Sequence, residues 1–342
     1  MDESTNGGAA LSRRGIIVVG ASWGGVDALR QLAAALPPDL PAALFIVLHM
    51  TPESPSMLPH LLARAGPLHA CHPRDGEVIR NGVVYVAPPD HHMLLERGTV
   101  RLSTSARENR CRPAIDPLFR SAARVYGSRV AGVVLTGAQD DGTAGLLRVK
   151  AAGGVAIVQD PAEAFCPDMP RSALARVDVD YCLPIAAIAT TLVALAAAPI
   201  ADEQAALQGV PMAETNVETE TPSPFTCPDC NGTIWMKNGG VVEFRCRVGH
   251  RYSEESMVDA QRDAVEHAKW AALRALEEKA DLHRRLAART RARSHSHSRF
   301  VESARAAEEQ VRMLRSILLD TESRASTTAD SDQPSSAKMS EP

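Results

Sequence analysis

Short apolar runs rich in β-branched residues alternate along the first half of the chain with stretches whose apolar positions recur every three or four residues. The first pattern predicts buried strands and the second amphipathic helices. Strands are expected over Ile16–Val19, Ala43–Leu48, Gly82–Ala87, Val100–Ser103, Val130–Leu135, Gly154–Val158 and Tyr181–Leu183. Helices are expected over Val26–Leu36, Ser56–Ala65, Asp116–Tyr126, Gly142–Ala152, Arg171–Val177 and Ile185–Ala196. Strand–helix–strand order repeated in this way predicts an α/β fold, a doubly wound, mainly parallel, Rossmann-like sheet with helices on both faces. Residues 1–13 read as a flexible tail and 14–197 as one domain.

The pattern then changes. Residues 198–224 are rich in Glu, Thr, Pro and Ala, lose periodicity and read as a linker. Residues 225–254 hold two short strand-like runs, Thr233–Met236 and Val241–Arg245. From Glu254 to Arg289, Met257, Val258, Val265, Trp270, Leu273, Leu276 and Leu282 recur mostly at helical steps. Arg291–Ser298 interrupts them, and Val301–Leu319 resumes the period with Val311, Leu314, Ile317 and Leu318. A helical region over 255–320, pairing as a hairpin, and a disordered tail over 321–342 are expected.

Composition narrows the setting. A net charge of -4 gives no general drive toward nucleic acid or an anionic membrane surface. No apolar run reaches the roughly 18 residues of a membrane span, and the polar Met1–Arg14 stretch lacks the apolar core of a signal peptide. The seven cysteines are an odd number, with three clustered late. That suits a reducing cytoplasm and a metal site better than a disulfide framework.

Ligands of a doubly wound sheet sit at the carboxyl ends of its strands. Ser22 follows the first strand in Gly20-Ala21-Ser22-Trp23-Gly24-Gly25, His49 follows the second, and Asp140-Asp141-Gly142 follow the strand ending at Leu135. A serine, a histidine and a carboxylate from three strands are the set that nucleophilic catalysis needs. Each also has a plainer use: a phosphate-binding turn for Ser22, a packed histidine for His49, a helix cap for Asp141. Asp140 stays a rival for either role. The order Ser, His, Asp differs from the Ser, acid, His order of α/β-hydrolases.

Downstream, Cys227, Cys230, Cys246 and His250 follow the spacing C-x2-C-x15-C-x3-H. Four thiolate and imidazole ligands suit a closed tetrahedral zinc site, and a module this small gains stability from a metal. A zinc-ribbon-like module over 225–254 with structural zinc is therefore expected, with a redox Cys-x-x-Cys or a ribbon that has lost its metal as the alternatives.

Gly20–Gly25, Leu48-His49-Met50, Tyr85–His92, Arg112–Phe119, Thr136–Gly142 and Met169-Pro170 stand in one order along the chain. In this series the chain resembles the catalytic domain of chemotaxis protein-glutamate methylesterases (CheB type). The resemblance implies Ser22 as nucleophile, His49 as general base and acid, and Asp141 as the orienting carboxylate. It implies hydrolysis of γ-glutamyl methyl esters on the cytoplasmic helices of chemoreceptors, with glutamine deamidation as a side activity and no cofactor for catalysis. The backbone N–H of Trp23 and the Gly137–Gln139 turn around Ala138 are the candidate oxyanion donors. Arg112 and Met169 are the remaining candidates near substrate. Many members carry Met-Gly where this chain has Ala138-Gln139, and a smaller residue at Trp23. Typical members also carry an N-terminal receiver domain; with about 14 residues ahead of the first strand, a stand-alone form is expected. Receptors, and a methyltransferase or other signalling proteins, are the expected partners, with no nucleic acid and no membrane insertion. A noncatalytic signalling scaffold and an esterase for a non-receptor ester remain the competing readings.

Overall fold

The computed structural model describes residues 15–52, 55–198, 221–237, 242–292 and 294–330. The expected tail at 1–13 and residues 331–342 lie outside the described residues, as does most of the stretch read as a linker, whereas 321–330, read as the start of a disordered tail, continue the last helix.

Seven parallel strands form the main sheet: β1 Ile16–Ala21, β2 Ala43–Leu48, β3 His69–Cys71, β4 Val83–Val86, β7 Val130–Val134, β8 Val155–Gln159 and β9 Tyr181–Leu183, in the order β3-β4-β2-β1-β7-β8-β9. This is the doubly wound α/β sheet that the alternating pattern predicts. The chain winds outward from β1 through β2 to one edge, then returns to β7 and winds to the other. β1 therefore marks the point where strand order reverses.

Side-chain alternation splits the core. Ile17, Val19 and Ala21 of β1 face one layer, with α1 (Gly25–Ala35), α2 (Leu58–Ala65) and α6 (Ile185–Ala197). Ile16 and Val18 face the other, with α3 (Ile115–Tyr126), α4 (Thr143–Ala151) and α5 (Asp168–Arg176). All six β1 residues are buried, which explains why the run is apolar throughout rather than alternating. Gly20 is required by this packing: a Cβ there would overlap Ile115 Cγ2 and lie 2.9 Å from its Cδ1. The bare backbone brings the start of α3 up against the end of β1.

Two strands depart from expectation. The run at Val100–Ser103 does not enter the main sheet. As β6 (Thr99–Ser103) it pairs antiparallel with β5 (His92–Glu96), a strand that the turn-like Pro88-Pro89-Asp90-His91-His92 sequence conceals. β3 is only three residues long, too short for a period to show.

The stretch 221–252 forms a four-stranded antiparallel sheet of β10 (Thr221–Thr226), β11 (Thr233–Lys237), β12 (Glu243–Cys246) and β13 (Arg251–Tyr252). Its first strand begins inside the stretch read as a linker, where Thr221-Pro222-Ser223-Pro224 carries two prolines that suit an edge strand. Two helices follow, α7 (Glu254–Arg289) and α8 (His295–Asp330). The first compact unit reaches Asp259, so the sheet and the opening turn of α7 belong with the main domain. The second unit is the helix pair itself. Ion pairs Arg284–Glu308 and Arg315–Glu277 fix the two helices as antiparallel. Leu273, Ala280 and Ala287 recur at heptad spacing and are buried in the pair, where small side chains let the backbones approach. α8 begins at His295 and so absorbs half of the Arg/His/Ser stretch read as an interruption. No described helix is long and apolar enough to cross a membrane.

Candidate active site

The carboxyl ends of three adjacent strands converge on one point. Ser22 follows β1, His49 follows β2, and the segment 135–142 follows β7. His49 Nδ1 lies 3.2 Å from Ser22 Oγ, and Nε2 lies 2.7 Å from Asp141 Oδ2. Because a carboxylate only accepts, Nε2 carries a proton, and in the neutral imidazole Nδ1 presents its lone pair to the serine.

Asp141 does not cap the helix beside it. Its Oδ2 accepts from the Ile115 N–H at 2.7 Å and its Oδ1 from the Asp116 N–H at 3.2 Å, so it caps α3. Asp116 returns the arrangement: its Oδ1 accepts from the Gly142 and Gly145 N–H groups at the start of α4. Each helix is thus capped by a carboxylate from the other's entrance, where the positive ends of two dipoles meet. Asn109 Nδ2 donates to Asp141 Oδ1 at 2.9 Å and to Asp116 Oδ2 at 3.1 Å.

The charges follow from these contacts. Burial works against the Asp141 anion, but the His49 hydrogen bond and charge, the Ile115 N–H and Asn109 outweigh it and hold the carboxyl down to about 2. Asp116, cut off from water and beside the Asp141 charge, is held well above the usual carboxylate range. Burial also opposes the charged form of His49, yet the neighbouring Cys111 and Asp141 prevail and raise the imidazole to about 10. Asp140 is settled as a different residue from Asp141: it accepts a hydrogen bond from Ser253 Oγ, and burial raises it to about 6.

The serine turn is tightly backed. Ser22 N donates to Thr136 O at 2.9 Å. A Cβ on Gly137 would overlap Met169 Sδ and lie 2.7 Å from Ser22 Cβ, so glycine lets the turn pass between them. Met169 is fully buried behind this turn, and its N–H donates to Gly137 O. The Gly137 N–H itself is committed to Cys166 O, which leaves Ala138 and Gln139 as the turn's candidate oxyanion donors beside Trp23. Gln139 holds φ 64, the left-handed region that favours glycine. Its side chain donates to Asp259 Oδ2 at 2.6 Å.

Trp23 is 65% exposed and meets the 70% exposed Phe165 edge-to-face at 5.6 Å. The two rings wall a cleft of about 270 Å3 with Asp27, Gln31 and Glu163. Arg112 points elsewhere. Its guanidinium binds Asp90 and the carbonyls of Thr104 and Ser105, so it ties the loop after β6 to the loop before β5.

The Sγ atoms of Cys227, Cys230 and Cys246 and a ring nitrogen of His250 all lie within 4.8 Å of one another. Cys230 Sγ to Cys246 Sγ is 3.7 Å, and His250 Nδ1 is 3.6 Å from Cys227 Sγ and 3.4 Å from Cys246 Sγ. A tetrahedron with Zn–S near 2.3 Å and Zn–N near 2.0 Å has edges of about 3.5–3.8 Å. The donor set fits such an ion.

The CheB methylesterase family model matches residues 17–192, just over half of the chain and the whole sheet with its serine, histidine and aspartate. This chain belongs to the CheB methylesterase family. The CheB methylesterase catalytic domain of Thermotoga maritima superposes with a TM-score of 0.51 at 35% identity, over 53% of this chain and 97% of that one. A Leptospira interrogans relative is 39% identical over 180 residues, 52% of this chain and 93% of the relative. The protein-glutamate methylesterase/protein-glutamine glutaminase 2 of Anaeromyxobacter dehalogenans is 40% identical over 177 residues, and the match spans about half of each chain.

Five residues packed around Ser22, His49 and Asp141 escaped the sequence reading: Asn109, Cys111, Asp116, Ser253 and Ser256. Asn109 and Cys111 lie in a polar loop whose composition signals only a turn. Ser253-Glu254-Glu255-Ser256 reads as an N-cap signature, and Ser253 does cap α7 by accepting from Ser256 N at 3.1 Å. Nothing in that pattern points 112 residues back to Asp141.

Proposed function

We propose that this chain is a protein-glutamate methylesterase that hydrolyses γ-glutamyl methyl esters of chemoreceptors through Ser22, His49 and Asp141. The observation that carries the reading is the hydrogen-bonded series from Ser22 Oγ through His49 to Asp141 at the strand ends, in a chain of this family. Ser22 Oγ attacks the ester carbonyl carbon while its proton passes to His49 Nδ1. The Trp23 N–H and the Ala138–Gln139 turn receive the oxyanion. Collapse breaks the carbon–methoxide bond, and His49 returns the proton to give methanol and an acyl-serine. Water, deprotonated by His49, then attacks the acyl carbon, and His49 passes that proton to Ser22 Oγ as the bond to the glutamate carboxyl breaks. With glutamine the leaving group is ammonia, the side activity in the names of the curated relatives. Asp141 keeps the Nε2–H tautomer throughout and stabilises the imidazolium.

In the C-terminal sheet, Cys227, Cys230, Cys246 and His250 hold a structural zinc ion. With all four positions filled by protein, the ion supplies folding energy rather than a site for substrate. Catalysis by the triad uses no cofactor.

Methanol release from methylated chemoreceptor membranes tests the reading. The full chain is expected to release methanol and Ser22→Ala to release none while keeping its thermal unfolding transition. Equal release from both proteins removes Ser22 as nucleophile. No release from the intact chain points to a different ester or to a scaffold.

A further inference from the structure

The segment that begins α7 reaches the triad acid through one buried amide. Asn109 is 5% exposed, and all four of its side-chain hydrogen-bonding positions are filled. Nδ2 gives one proton to Asp141 Oδ1 and the other to Asp116 Oδ2. Oδ1 accepts from the Ser253 N–H at 2.8 Å and from Ser256 Oγ at 3.1 Å. The two serines are both buried, and their protons are accounted for. Ser253 Oγ gives its proton to Asp140 and accepts the Ser256 N–H, so the Ser256 hydroxyl is free to donate to Asn109.

These partners give the amide a direction. Turned around, Asn109 would set its oxygen against two carboxylates and its NH2 against the Ser253 N–H. Three contacts would become repulsive in a buried site, and only the Ser256 hydroxyl could turn to accept. The serines therefore determine which end of Asn109 faces Asp141. The same segment grips the acid-bearing turn twice more, through Ser253 to Asp140 and through Asp259 to Gln139. The main-chain N–H of Asn109 donates to Arg251 O of β13 at 2.8 Å.

We infer that Asn109 is a positioning residue for the triad, oriented by Ser253 and Ser256, so that the start of α7 holds the catalytic carboxylate in place. The inference rests on the triad reading above. Asp141 Oδ2 is trained on His49, and Oδ1 is the oxygen that stops the carboxylate from rotating. Without Asn109, Oδ1 keeps only the 3.2 Å bond from the Asp116 N–H. The buried amide acts on the chemical step and leaves substrate binding alone.

Two readouts on the full chain test this, one of them independent of substrate. In methanol release, Asn109→Ala lowers kcat about 10- to 100-fold at unchanged KM, the worth of one hydrogen bond to a charged group. Ser256→Ala lowers kcat about 3- to 10-fold. The double variant matches Asn109→Ala alone, because Ser256 acts only through the amide. In proton NMR, the His49 Nε2–H held by Asp141 gives a downfield signal that Asn109→Ala displaces or abolishes, Ser256→Ala displaces, and Ser22→Ala retains. Signals unchanged in both variants overturn the inference, as does a double variant whose kcat loss is the product of the single losses. Should Asn109→Ala fail to fold, an unchanged Ser256→Ala signal overturns it alone. Displaced signals in a chain that releases no methanol uphold the positioning and dismiss the substrate.

Discussion

Replacing Asp141 by asparagine removes one charge and almost no volume, and the surrounding donors determine the outcome. Oδ2 serves two donors, His49 Nε2–H and Ile115 N–H, and Oδ1 serves two more, Asn109 Nδ2–H and Asp116 N–H. An amide must turn its NH2 toward one pair. Facing Asn109 and Asp116 it meets two donors that cannot change, because Ser253 and Ser256 hold the Asn109 amide. Facing His49 it meets one donor that can change, since imidazole switches tautomer, and only the Ile115 N–H is orphaned. The second arrangement costs about 1–3 kcal/mol for one unpaired buried donor, against twice that for the first. It also places the imidazole proton on Nδ1, against Ser22, where the base must accept one. Asp141→Asn is therefore expected to fold, to lose about 1–3 kcal/mol of stability, and to lose roughly 1,000- to 10,000-fold in kcat, as when a triad acid elsewhere enforces the wrong tautomer. Because Asp141 is depressed to about 2, it stabilises the fold above the unfolded carboxyl value near 3.9 and that contribution fades as pH falls through about 2. The span amounts to roughly 2–3 kcal/mol, which the variant does not show. Denaturant unfolding from pH 2 to 7 and methanol release at pH 7 measure both effects. Turnover within tenfold of the parent would refute the tautomer argument.

Three further perturbations test neighbouring parts of the site. Gly137→Ala forces a Cβ into Met169 Sδ and Ser22 Cβ; it is expected to lower stability by about 1–3 kcal/mol and to displace the serine, read by thermal unfolding and turnover. His49 acts as a base only when neutral, so its raised pKa puts the acid limb of kcat/KM on the alkaline side of the ordinary histidine value. Cys111→Ala removes one cause of that rise and should move the limb to lower pH, while an unmoved pH profile denies Cys111 any part in it. One equivalent of zinc is expected by elemental analysis, and Cys246→Ser should lose it and lower the unfolding temperature; full retention of the metal would exclude Cys246 as a ligand.

The α/β architecture was legible because it depends on local periodicity, which a strand buried on both faces and an amphipathic helix each write into their own few residues. Strands β1, β2 and β7 are long enough to carry that signature, and the three residues that follow them could be read as one cluster once the sheet was assumed parallel. The Cys/His cluster was legible for a similar reason: its spacing is a property of two turns. β5 was hidden behind a proline-rich turn, and Arg112 could not be placed because its partners lie 7 to 22 residues away along the chain.

Local periodicity and motif order thus sufficed for the fold class, the strand ends that carry Ser22, His49 and Asp141, and the cluster of Cys227, Cys230, Cys246 and His250. Tertiary structure alone gave Asp140 its own partner in Ser253, gave Asp141 the N-terminus of α3 to cap, and brought Asn109, Ser253 and Ser256 together behind it. The two serines stand more than 100 positions from Asn109. A hydrogen bond across such a distance leaves no period in the chain, because its partners are brought together by how the elements pack and not by what stands next to them.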